Sequence, residues 1–418
     1  MSAIESSGMA GRLKRLGYMT RLVAGESVRS FIRNENLDAA ATLAYYGFFA
    51  LMPLLILMMI MLSRFLFSSD TALMGLQQFV GELFPRFTDE ILKDVYALAR
   101  QQLWGLVSII VLVWSITPFA GSFRHISRRI FKSDQRLNFV KAKMLDMATV
   151  VGVMIVFIFL IVVRVYFNAA DRVSLPSHLN ALRPAAGLLL PMAMTLLTIA
   201  FLYRVFAPEH PGWMAIFAGS MTAAGLLFVI RPVFGYFLTF NPNYGFAFGS
   251  LKAVFLVIVW VYYSLAVMLF GVEVMANTRR REGLLLRRLF TATRGPGVEP
   301  DPLLRRFIEE PETDQVLFRE GDAGKTMYYV LDGAVALSHG GAPLRVMRAG
   351  DYFGEMSMLI AVPRTATATV AEPETRLIAI DSDNFETILR ENPAIVRSIL
   401  AEMARRLKAT NEQKAAAT

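Results

Sequence analysis

Apolar residues are distributed unevenly along the 418-residue chain. Long apolar runs fill it up to about Met275, after which apolar and polar positions alternate over short distances. Six runs, at about 42–63, 103–122, 147–167, 187–206, 213–236 and 251–273, each approach the roughly 20 residues that carry a helix across a bilayer. They predict an α-helical polytopic membrane bundle of six transmembrane helices. The later pattern is different. Strand-like runs at Gln315–Phe318, Met327–Leu331, Val335–Ser338, Leu344–Met347, Thr367–Val370 and Arg376–Ile380 are separated by glycines at 321, 324, 333, 340 and 341. That spacing predicts a compact β-roll or jelly roll with flanking helices, the last two at Asp383–Arg390 and Pro393–Lys408. The chain therefore divides into an N-terminal segment (1–40), a six-helix domain (41–278), a linker (279–302), a β-roll domain (303–408) and a polar tail (409–418).

Charge orients this plan. Residues 1–40 carry six Lys or Arg with no long apolar run, so they do not read as a cleavable signal peptide. An amphipathic helix on the inner leaflet and an ordered lead-in to the first span both fit them. Basic residues gather in the loop at 123–146 (Arg124, Arg128, Arg129, Lys132, Arg136, Lys141, Lys143) and after the sixth run (Arg279, Arg280, Arg281, Arg287, Arg288). The 64–102 loop carries Asp70, Glu82, Asp89, Glu90 and Asp94, and 237–250 has no Lys or Arg. By the positive-inside rule, both termini of this multi-pass protein are expected in the cytoplasm, with the chain in a bacterial inner membrane. The net charge of +9 follows from this topology, so nucleic acid is not expected as a partner; the lipid bilayer is, and the pattern accommodates a homo-oligomer. There are no cysteines, and the four histidines (His125, His178, His210, His339) are scattered without metal-ligand spacing. No metal site, catalytic residue or cofactor is expected, and the chain does not read as an enzyme.

Within the apolar runs, Pro53, Pro118, Pro191 and Pro232 are candidate helix breaks of the kind that line cavities, although proline is also simply commoner in membrane helices. Arg164, Arg204, Arg231 and Glu273 lie within or at the ends of runs, where a charge is costly unless paired or wetted. Snorkelling to the nearer interface is the expectation for each. The stretch 231–250, rich in aromatics and holding Tyr244 and Gly245, suits a pore-mouth loop and an outer aromatic belt equally well. Three segments, AAATLAYYGFFALMPLLIL at 39–57, NYGFAFGSLKAVFLVIVWVYYS at 243–264 and FGVEVMAN at 270–277, resemble the YihY or BrkB group of bacterial six-span inner-membrane proteins. The likeness covers most of residues 25–280; one branch of that group is linked to serum resistance. The membrane positions singled out as functional are Pro53, Pro118, Arg231, Tyr244, Gly245 and Glu273.

The linker is basic and then Gly- and Pro-rich, and Leu284, Leu285, Leu286 and Leu289 among arginines suit a short helix on the inner surface. Downstream, the run from Gly354 to Ala366, GEMSMLIAVPRTA, sets a glycine and a carboxylate ahead of an arginine followed by a hydroxyl and a small residue. Such a set can hold a sugar hydroxyl on Glu355 and an anion on Arg364. In context, LFREGDAGKTMYYVLDGAVAL and GDYFGEMSMLIAVPRTATATV resemble the cyclic nucleotide-binding domain of catabolite activator proteins, cyclic-nucleotide-dependent kinases and gated channels. The resemblance implies that Gly354 lets backbone approach the sugar-phosphate, Glu355 holds the ribose 2′-hydroxyl and Arg364 pairs with the cyclic phosphate. It also implies donors at Met356, Ser357, Thr365 and Ala366, with cAMP or cGMP as regulatory ligand; Thr365 does not decide between the two bases. Only about ten polar residues follow Leu407, so a DNA-binding helix-turn-helix is not expected. The expectation is a channel or transporter regulated by cyclic nucleotide. Two alternatives stand beside it: a membrane-anchored sensor or scaffold recruiting a partner, and an envelope- or virulence-associated protein without transport.

Overall fold

The computed structural model describes residues 2–65, 74–77, 106–133, 138–170, 183–208, 211–240, 252–284, 286, 307–385 and 404. The chain forms two compact units, Thr20–Arg279 and a second made of Met1–Met19 with Arg280–Thr418.

The first unit is all helical. Its elements are α1 (Ser2–Arg33, entering it at Thr20), α2 (Asn36–Phe65), α3 (Leu106–Phe131), α4 (Phe139–Ala170), α5 (Arg183–Phe206), α6 (Trp213–Phe240) and α7 (Lys252–Arg279). Among the described residues, four helical stretches are long and apolar enough to cross a membrane: Asn36–Leu62, Phe139–Val163, Trp213–Tyr236 and Val254–Arg279. Met192–Phe206 is a shorter apolar helix, and the second half of α3 carries Arg124, Arg128 and Arg129. The six-span expectation thus meets four helices of full length and apolarity, with helices also present at the other two positions. These helices are apolar all round. Their inward faces pack a core that includes Leu43, Leu57, Phe123, Ile130, Tyr203, Ile216 and Leu269, while Trp114, Ile155, Phe159, Phe217, Phe228 and Val229 point outward and exposed. Large apolar side chains on an outer surface are what lipid, not water, stabilises.

Two expectations change here. The basic stretch 123–146 is largely not a loop: α3 runs to Phe131 and α4 starts at Phe139. Arg124 is drawn inside the unit because Asp146 on α4 lies 2.8 Å away and Thr149 Oγ1 accepts a 3.0 Å bond, so the charge is buried as a pair. Pro53, Pro118 and Pro232 all lie inside continuous helices, so none of them breaks its span. Neighbouring helices make a proline tolerable inside a bilayer helix.

Glycines decide how closely α6 and α7 approach. A Cβ on Gly219 would stand 2.6 Å from the Gly271 carbonyl, and one on Gly271 would strike the Tyr203 hydroxyl. Tyr203 is fully buried and donates to the Met268 carbonyl at 2.6 Å. Small residues here let two backbones meet, the usual device for helix association without a hydrophobic driving force.

The second unit, from residue 307, is a β-roll of two four-stranded antiparallel sheets. One has the order β1 (Ile308–Glu309), β8 (Arg376–Asp381), β3 (Thr326–Asp332), β6 (Tyr352–Phe353). The other runs β2 (Val316–Phe318), β7 (Thr367–Val370), β4 (Ala334–His339), β5 (Ala342–Arg348). Val330, Val335, Met347, Phe353, Ala368 and Leu377 fill the space between them. All six predicted strands are present. The two-residue strands β1 and β6 lack the length to show alternation, and the sequence pattern does not reveal them. A four-residue helix, α8 (Met356–Leu359), follows β6. Most of the two expected closing helices lies outside the described residues; Ser382–Phe385 is helical.

Candidate functional site

The run Gly354–Ala366 folds into a small cradle between β6 and β7. Gly354 has φ +83°, and a Cβ there would lie 2.6 Å from an Arg364 nitrogen, so only glycine fits. Glu355 is 2% exposed and sits at the start of α8. Ser357 is buried and donates to the Gly354 carbonyl at 3.1 Å. The chain then turns back through Ala361, at φ +52°, to bring Arg364 against the same residues.

Arg364 is the centre of the cradle. It is 6% exposed, and its guanidinium donates to the Gly354 carbonyl (2.8 Å), the Ser357 hydroxyl (2.9 Å) and the Thr326 carbonyl (2.6 Å). Its flat face lies over the Phe318 ring at 4.1 Å, a cation–π contact that suits a planar, weakly hydrated cation. On another side it rests against Gly324, where any side chain would collide with it. Its Nε is buried and has no hydrogen-bond partner among the described residues. Burial pushes the Arg364 pKa below the usual arginine range, and Tyr328, Asp322 and Glu355 oppose that shift. Backbone bonds fix the position: Arg364 N–H donates to the Asp322 carbonyl, and Gly321 N–H donates to the Arg364 carbonyl, each at 2.8 Å.

Of the predicted cassette residues, the fold draws together Gly354, Glu355, Ser357 and Arg364, with Met356 on α8 beside them. Ala366 is buried, at 7% exposure. Thr365 is exposed, and its carbonyl lies 3.1 Å from His339 Nδ1. Three contributors escaped the sequence reading: Phe318, Gly324 and the Thr326 carbonyl. Phe318 and Gly324 lie within the LFREGDAGK stretch, so a signal existed; a backbone carbonyl leaves none.

The helical unit holds two further polar features. Glu273 on α7 is fully buried within the helical unit, where a snorkelling side chain would be exposed. It accepts bonds from Asn34 Nδ2 (2.6 Å) and Asn36 Nδ2 (2.7 Å), residues that flank the α1–α2 turn at Glu35, whose φ is +51°. One turn further along α7, Asn277 donates to Ser27 Oγ at 3.1 Å. The start of the chain's helical unit is thereby clasped to the end of its last helix. Arg231, also expected to snorkel, instead lines a cavity of about 210 Å³ among α4, α5, α6 and α7. Neither Pro53 nor Pro118 lines it. Tyr244 and Gly245 lie outside the described residues.

Comparison with known proteins follows the same division. A family model described as "Virulence factor BrkB" matches residues 27–289, and one described as "Cyclic nucleotide-binding domain" matches 309–392. A cGMP-dependent protein kinase of Toxoplasma gondii is 34% identical over 102 residues, covering 24% of this chain and 10% of the kinase. A CRP-like cAMP-activated global transcriptional regulator of Mycobacterium tuberculosis is 31% identical over 129 residues, covering 28% of this chain and 57% of the regulator. The chain thus spans little more than half, or far less, of these curated relatives. The solved Thermus thermophilus catabolite activator protein is 28% identical, with a TM-score of 0.25, covering 28% of this chain and 59% of that one.

Proposed function

The chain belongs to the virulence factor BrkB family and carries a cyclic nucleotide-binding domain, and from that premise we propose a channel or transporter regulated by cAMP or cGMP. The observation that carries the regulatory half is the convergence of Gly354, Glu355, Ser357 and Arg364 in one buried cradle. Glu355 accepts the ribose hydroxyl. Arg364 clamps the cyclic phosphate by exchanging carbonyl partners for charged oxygens, which make the stronger hydrogen bonds. Met356, Thr365 and Ala366 complete the cassette, as the resemblance implies. No step in this reading is enzymatic.

For the membrane half, six spans with cytoplasmic termini in a bacterial inner membrane agree with the basic clusters flanking the apolar runs. The covalent link runs from α7 through the basic stretch 279–302 into the roll. A ligand moves the bundle only by its differential affinity for two states, on the scale of about 1–3 kcal/mol. The clasp of Glu273 and Asn277 on the first helices lies at the end of α7 that the link joins.

The test is flux of ions and small solutes from liposomes holding the full-length protein, with cAMP or cGMP added and binding measured on the same sample. Nucleotide-dependent flux supports the proposal. Bound nucleotide with no flux under any condition sinks the transport half and leaves a membrane-anchored sensor.

A further inference from the structure

We propose that the outward face of α1 binds anionic phospholipid, with its arginines on headgroup phosphates and its apolar side chains among the first acyl carbons. From Thr20 onward α1 belongs to the helical unit, and its two faces are reversed from those of a helix in water. The inward side buries Glu26, Ser27 and Ser30 beside Val23, while Val28 is 50% exposed and Ile32 73%. Apolar side chains that stay outside while polar ones go inside mark a surface that lipid, not water, covers.

Arginines share the outward stripe. At about 100° per residue, Arg21, Val28 and Ile32 fall within about 40° of one another, and Arg29 lies about 60° beyond Ile32. Arg21 and Arg29 are both exposed. The carboxylate of residues 20–33 is Glu26, which is buried and lies 3.7 Å from Arg33, so every exposed charge on this stretch is positive. Past the helix end, Glu35 and Asp38 are exposed, and the exposed Arg129 donates to the Asn34 carbonyl at 2.9 Å beside them. A stripe that mixes guanidinium groups with apolar side chains is the composition of a helix lying in a membrane interface.

Two spans set the level of α1. The apolar stretch Asn36–Leu62 begins just past the end of α1 at Arg33, and the stretch Val254–Arg279 ends beside it. Asn277 donates to Ser27 Oγ at 3.1 Å, and Phe31 meets Phe270 edge-on with ring centroids 5.6 Å apart. The helix is therefore fixed where one span starts and another stops, which is the surface of a bilayer. At that level an arginine stem lies along acyl chains while its guanidinium reaches a phosphate, which its fork of donors grips at two oxygens. A zwitterionic headgroup carries its own cation against its phosphate. Unbalanced arginines therefore select the lipid with net negative charge.

The chain has no cysteine, so one introduced thiol carries a fluorophore at a single place. Full-length Ile32→Cys protein labelled with bimane is put into nanodiscs in which either phosphatidylglycerol or phosphatidylcholine, at equal fraction, is brominated on its chains. Quenching by the brominated phosphatidylglycerol is expected to be at least about 3-fold the stronger, since each arginine at such a surface is worth up to about 5-fold in attraction to anionic lipid. Arg21→Gln with Arg29→Gln should remove most of that preference. Taking two arginines from β5 instead, Arg345→Gln with Arg348→Gln, should leave it unchanged. The thermal midpoint of each variant reports folding, and Val28→Cys serves as a second reporter on the same face. Equal quenching by the two lipids overturns the proposal, as does an undiminished preference in the folded Arg21→Gln, Arg29→Gln protein or an equal loss in the β5 variant. Quenching by neither lipid overturns it too, because water or another protein would then cover this face.

Discussion

Arg364 in the β-roll and Arg231 in the helical bundle are both arginines withdrawn from bulk water, but they are positioned in different ways. Arg364 is held by residues within 46 positions of it, from Phe318 to Ser357, and each is placed by a turn, a short strand or the one-turn helix α8. Arg231 lines a cavity to which Phe157, Met194, Trp260 and Met268 also contribute, from three other long helices, α4, α5 and α7. A site built by local folding leaves a local pattern in the chain. One built by packing long helices leaves only a charge in an apolar run.

Four substitutions test whether the two regions are as separate as this comparison holds. The largest effect is expected in the roll. Arg364→Ala should weaken cyclic nucleotide binding by at least about 30-fold, since truncating one partner of a buried charged pair costs about 2–5 kcal/mol. Calorimetry on the full-length chain reads it, and Arg364→Lys should fall between the two because it keeps charge without the fork. Glu273→Ala comes next. It leaves the Asn34 and Asn36 amides without their acceptor, at about 1–3 kcal/mol of stability in the helical unit, and moves nucleotide affinity of the roll by no more than the coupling of about 1–3 kcal/mol. A lowered thermal midpoint checks this; an unaltered one contradicts the clasp.

Gly271→Ala should cost about 1–3 kcal/mol, through overpacking against Tyr203 and Gly219. The thermal midpoint again reads it, and Gly225→Ala on α6, where a Cβ meets nothing within 4 Å, is the control. The smallest change is expected at Thr365, which is exposed: Thr365→Ala should move the ratio of cAMP to cGMP affinity by no more than about 0.5 kcal/mol. A larger shift would place the hydroxyl in the recognition of the base.

The contrast also explains what could be read from the chain. Short alternation and glycine turns carried the six longer strands of the roll. Strands β1 and β6 are two residues each and hold no period. The resemblance that singles out Glu355 and Arg364 rests on one continuous run, 354–366, because local folding builds that cradle. In the bundle, apolar length revealed helices but not their inner faces, because a helix apolar all round has no stripe to point inward. Snorkelling was the natural expectation for Glu273, since Asn34 and Asn36 stand 239 and 237 positions away. Arg124 read as a loop residue for the same reason: its partner Asp146 lies beyond a helix boundary that charge alone does not mark.

The central claim is that nucleotide bound in the roll shifts the end of the last helix. Hydrogen exchange of the full-length protein in nanodiscs, with saturating cAMP or cGMP and without, tests it most directly. The account predicts altered amide protection in α7 around Glu273 and Asn277 together with residues 27–36, and no such change in the Arg364→Ala protein. Full protection changes in the roll, with α7 and residues 27–36 exchanging identically in both states, would contradict it.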